Sequence, residues 1–72
     1  MSQPSYKVFA QSIDGDDIAM EKFETRAEAD SCFDNLTDPE TTPLLAYGGG
    51  TVWLFELHRG DWQPLTIRTV VP

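Results

Sequence analysis

Glu56 and His58 stand two residues apart in the run 51–58, so a strand there sends both side chains to one face. A carboxylate beside an imidazole can move a proton or supply half of a metal site. The chain contains one histidine, and local spacing puts no second carboxylate beside the pair, which therefore reads as a surface pair. Asp14, Asp16 and Asp17 offer oxygens to a cation. A calcium loop needs six or more oxygens in a set pattern with a bidentate Glu near its end, and that pattern is absent, so these residues read as turn chemistry. Gly48-Gly49-Gly50 could let a backbone approach a phosphate, but phosphate loops lead from a strand into a helix N-terminus. Here the glycines separate two β-like runs and read as a hairpin loop. Cys32 falls on the apolar stripe of an expected helix, where surroundings of that kind suppress the thiolate. Arg59-Gly60-Asp61 spells an adhesion tripeptide and equally an ordinary hairpin loop. Trp62 closes that hairpin and is a candidate anchor for a partner. No catalytic centre assembles from these residues. The expectation is a non-enzymatic protein with no cofactor and no metal site.

The elements that would position these groups belong to one small domain spanning residues 1–72, with 1–4 as a flexible N-terminus. At 72 residues a chain hides only about 60% of the surface its unfolded form exposes. A single core of this size supplies at most a few kcal/mol without help from disulfides, a metal or a partner subunit. The single Cys excludes an internal disulfide, which leaves self-association open. Hydrophobic content of 40% suits a packed domain. The opening MSQPSYKVFA has no basic-plus-apolar signal segment, and no apolar run reaches the ~18 residues of a membrane span. A cytoplasmic protein without membrane contact is expected.

The net charge of −7 is concentrated. Residues 14–40 hold ten of the twelve acidic side chains against Lys22 and Arg26, whereas residues 41–72 are neutral. Phosphate binding needs clustered Lys and Arg, so nucleic acid is not expected as a direct ligand. A basic protein partner fits better.

Residues 6–13 (YKVFAQSI) are β-prone, residues 14–17 (DGDD) signal a turn, and residues 18–24 read as the returning strand. Thr25 followed by Glu28 forms a capping box, in which the Thr hydroxyl and the Glu carboxylate each satisfy a free backbone N–H. The helix it starts places Ala29, Cys32, Phe33 and Leu36 on one stripe. It ends before Asp38-Pro39, because a residue preceding proline avoids helical dihedrals. Runs at 44–47, 51–58 and 62–71, divided by 48–50 and 59–61, predict a three-stranded meander. The fold class expected is α+β: a small antiparallel sheet with one helix packed on one face, order ββαβββ.

Three-residue loops at 48–50 and 59–61 pair Leu45 with Trp53, Trp53 with Ile67, and Phe55 with Leu65. That register gathers Leu45, Trp53, Phe55, Leu57, Leu65 and Ile67 on one face, free of Glu56 and Arg68, and predicts this set as the core face under the helix. The opposite face then carries Leu44, Ala46, Val52, Leu54 and Val70. The first hairpin, built on a four-residue turn, has Phe9, Ile13, Ile18 and Met20 on one side. Its other side has Tyr6, Val8, Ala10, Ala19 and Phe23.

One helix covers only one face, so apolar surface is left over, and monomers seldom expose large contiguous apolar patches. The reading that follows is an interaction module that forms a homodimer through its uncovered face. The predicted contacts are Leu44, Val52, Leu54, Trp62 and Val70. The alternative is an acidic inhibitor or adaptor, of the phage or mobile-element type, docking on a basic protein. It would use Asp14, Asp16, Asp17, Glu24, Glu28, Asp30 and Asp34.

Overall fold

A computed structural model describes residues 4–72. The expected flexible N-terminus at 1–4 lies, except for Pro4, outside the described residues. The elements are β1 (Tyr6–Ser12), β2 (Asp17–Phe23), α1 (Arg26–Thr37), a 3-10 turn (Pro43–Tyr47), β3 (Gly50–His58) and β4 (Asp61–Val70). The four strands form one antiparallel sheet in the order β2-β1-β3-β4. The α+β class stands, with one helix against a small antiparallel sheet.

Helix α1 has the predicted boundaries. The Thr25 hydroxyl accepts from the Glu28 N–H at 3.3 Å. The same hydroxyl donates to the Glu28 carboxylate at 2.9 Å, so the carboxylate meets the cap side chain rather than the backbone N–H expected of it. The helix stops at Asp38, whose extended dihedrals suit the residue before Pro39. Its stripe lies as read: Ala29 and Phe33 are buried, and Cys32 and Leu36 pack half-buried beside them.

The run at 44–47 is a helical turn and not a strand. Pro43 opens it, the Thr42 hydroxyl accepts from the Leu44 N–H at 3.2 Å, and Gly48 at φ 87° closes it. Those are helix start and stop signals, and a short apolar run alone does not separate strand from helix. The expected pairing of Leu45 with Trp53 is therefore absent, and Leu44 drops into the core. The glycines after it serve close approach. A Cβ on Gly50 would collide with the Gln11 carbonyl oxygen, and one on Gly49 with that of Val70.

The β3–β4 hairpin turns in two residues, Arg59 and Gly60, both at positive φ, with His58 opposite Asp61. This is the twist-matched primed turn, not the three-residue loop expected. One extra residue at Leu65 then bulges out, so Phe55 pairs with Pro64 while Trp53 still pairs with Ile67. The short turn and the bulge cancel, which is why the predicted register holds beyond the bulge and fails next to the turn.

The core lies on the opposite side of the sheet from the one predicted. Helix α1 and the 3-10 turn cover the side that carries Val8, Ala10, Val52, Leu54 and Val70, which are buried together with Ala29, Phe33 and Leu44. Two facts fix this. Val8 pairs with Leu54 and Ala10 with Val52, a neighbourhood of β1 and β3 that no hairpin in the sequence announces. Small aliphatic side chains also let the helix sit close over the strands at interior packing density. Leu44, Val52, Leu54 and Val70 are thus the interior, and the assignment of these four as partner contacts is corrected. In the first hairpin, Tyr6, Val8, Ala10, Ala19 and Phe23 share the covered side as grouped. A bulge in β2 sends Ile18 to the core, while Ile13 is exposed.

Candidate functional site

The uncovered face is built from the alternate residues of the same four strands. Its central row runs across the sheet in register: Met20, Phe9, Trp53 and Ile67. On one side lies the row Lys22, Lys7, Phe55 and Pro64, and on the other Asp17, Gln11, Thr51 and Thr69. Leu57 pairs with Trp62 just beyond the lysine row. Aromatic and β-branched side chains at these positions are what strand interiors favour, and neighbours across strands on one face pack together. Phe9 and Trp53 do so at 5.4 Å between ring centroids, tilted by 43°.

The lysines finish this surface. The Lys7 ammonium lies 4.7 Å from the Phe55 ring centroid and 4.8 Å from that of Trp62, with Lys22 6.0 Å from Trp62. A cation over an aromatic face is attracted by the ring quadrupole, and the lysine stem shields apolar surface. The aromatics are accordingly half-buried without any helix above them. The ends of the central row are not sheltered: Met20 is 51% and Ile67 56% exposed. Of the five predicted contacts, Trp62 alone belongs to this face. The sequence reading missed Phe9, Met20, Trp53, Phe55 and Ile67 as surface. The available signal was alternation within the first hairpin, where Lys7 shares a face with Phe9 and Lys22 with Met20.

Charge separates the two sides of the molecule. Within the paired strands, Asp17 is the one carboxylate in register with the open face, against Lys7 and Lys22. Glu21 and Glu56 pair with Val8 and Tyr6 on the helix side. Of the predicted acidic residues, Asp14, Asp16, Asp17, Glu24, Glu28 and Asp34 are exposed. Asp30 is half-buried and accepts from Arg26 Nε at 3.0 Å, an ion pair that raises the Arg26 pKa.

Glu56 and His58 share one face of β3 as expected, and the hairpin adds Asp61 opposite His58 at the exposed turn, while Glu56 pairs with Gln63. Among the described residues, no group of three or more His, Cys, Asp or Glu side chains is placed to hold a metal ion. Burial pushes the Cys32 thiol up, with the Glu21 carboxylate adding to it. A shallow cleft of about 320 Å³ lies at the polar end of the open face, lined by Gln11, Thr51, Trp53 and Thr69, with Ile13 and Val71 among its walls. No helix among the described residues is long and apolar enough to cross a membrane. Comparison with family models, curated proteins and solved structures gives no match to this chain.

Proposed function

We propose that this domain is a non-enzymatic protein-interaction module that pairs with a second copy of itself, face to face, through the uncovered side of the sheet. The observation that carries the reading is the unbroken apolar row Met20, Phe9, Trp53 and Ile67 across all four strands, open to water at both ends. Surfaces of this kind on small soluble domains mark interaction sites. Four strands about 4.8 Å apart and about seven residues long present a face of roughly 19 by 23 Å. Two such faces bury on the order of 900 Å² before side-chain relief, near the lower limit for a specific interface. That size suits a reversible dimer.

Charge favours the same arrangement. Two bodies of net charge −7 repel. Stacking the lysine-bearing faces inward leaves both acidic helices on the outside of a four-layer assembly, as far apart as the fold allows. Salt should therefore strengthen the dimer or leave it unchanged.

Light scattering over a wide concentration range tests this. The natural chain should pass from monomer to dimer, and Trp53→Glu should stay monomeric while keeping its circular dichroism spectrum. A natural chain that is monomeric at every concentration ends the proposal. The exposed acidic set supports a second reading, docking on a basic protein, which differs in sign: that complex would weaken steeply with salt.

A further inference from the structure

From the charge rows we infer that the two copies are related by a two-fold axis running across the strands along the Met20, Phe9, Trp53 and Ile67 row. Lys22 of each copy then meets Asp17 of the other. This rests on the self-association proposed above and specifies its geometry.

Two like sheets stacked face to face share a two-fold axis lying in the plane between them. With the strands of the two copies aligned, the axis runs either along the strands or across them. The open face distinguishes the two. Its lysine row and its Asp17 row lie two residues to either side of the central row, about 7 Å away at strand spacing.

An axis along the strands lays each row on its own counterpart. The same axis exchanges β2 with β4, so the four lysines gather at one end with Lys7 beside Lys7 of the second copy, whereas each Asp17 lies over Thr69, about 14 Å from the other Asp17. The lysine end is repulsive in a partly dry interface, and no carboxylate of the paired strands lies opposite a lysine. An axis across the strands exchanges the outer rows. Lysines then lie over Asp17, Gln11, Thr51 and Thr69 of the second copy, and the central row lies on itself.

Lys7 is already engaged by Phe55 and Trp62. Lys22 is exposed, on the same edge strand as the exposed Asp17, so β2 stacked on β2 brings each to the other. The pairing occurs twice, once on each side of the axis. It fixes the relative direction of the sheets, which the apolar row alone does not.

The test is the dimer dissociation constant of charge-reversed variants at low salt. Lys22→Asp should weaken the dimer about tenfold, since two attractive contacts become repulsive. Asp17→Lys should act likewise, and the double variant should return to near the natural value. An axis along the strands puts Lys22 over Pro64 with no carboxylate opposite, so Lys22→Asp would leave the dimer unchanged or tighten it. A Lys22→Asp dimer no weaker than the natural one, or a double variant no better than the singles, overturns the inference and leaves the proposed dimer intact. A monomeric natural chain removes both.

Discussion

The covered side of the sheet is floored by Val8, Ala10, Val52 and Leu54, whereas the uncovered side carries Phe9, Trp53, Phe55, Trp62, Met20 and Ile67. In the middle of the sheet the bulkier apolar side chains are thus on the side without a helix, while Tyr6 and Phe23 flank the covered side at the end of the β1–β2 pair. A helix needs a low floor to pack against, and small aliphatic residues provide it at interior density. The open side has no such limit on height, and its rings shelter one another and the lysine stems. Side-chain size is therefore a poor guide to which face of a small sheet is interior. Lysine position sorts the faces better, because Lys7 and Lys22 both stand on the aromatic side, whereas Arg68 lies on the covered side against Phe33.

The sharpest way to break this contrast is to truncate one residue on each face. Leu54 is 1% exposed, and Leu54→Ala should cost about 3 kcal/mol by lost transfer and cavity terms. Trp53→Ala, on half-buried surface, should cost about 1–2 kcal/mol at concentrations where the chain is monomeric. Denaturant midpoints measure both. A Trp53 variant less stable than the Leu54 variant would mean that the faces are assigned the wrong way round.

A smaller effect tests the cover itself. Thr25→Ala removes the cap of α1, which lies over the Leu54 side, and should cost about 1 kcal/mol. The dissociation constant should not change, because the helix does not touch the open face. The smallest effect concerns Cys32, whose thiol is pushed up by burial and then by Glu21. A raised folded value means that the native state holds the proton more tightly. Its contribution is complete below the ordinary thiol range and is lost as pH rises through the raised value. Denaturation midpoints at neutral and alkaline pH should fall slightly more for the natural chain than for Cys32→Ala. An equal fall would place Cys32 outside the packed stripe.

What could be read from the sequence follows how local each signal is. The helix from Thr25 to Asp38 was legible because capping and the residue before proline act within a few positions. The pairing of Trp53 with Ile67 was legible because alternation forbids a slip that would mix in Glu56 and Arg68. The turn at 43–47 was misread because LLAY is apolar in either conformation, although Thr42, Pro43 and Gly48 carried the correct signal. The covered face was misread because it depends on β1 lying beside β3, a contact between segments about forty residues apart with no turn to announce it. The candidate site inherited that error: once Val52 and Leu54 go inside, only Trp62 of the predicted contacts remains at the surface.

Trp53 and Trp62, the only tryptophans in the chain, both belong to the uncovered face, and none stands among the buried residues. Intrinsic emission therefore reports on the surface where a second copy would dock. Its wavelength should follow occupancy of that face, and its intensity should respond to the Lys7 ammonium 4.8 Å from the Trp62 ring. The interior around Leu54 holds no tryptophan, although Tyr6 packs at its margin. Unfolding also frees these half-buried rings, so backbone circular dichroism is followed beside emission, and an emission change at constant ellipticity marks docking within a single unlabelled sample.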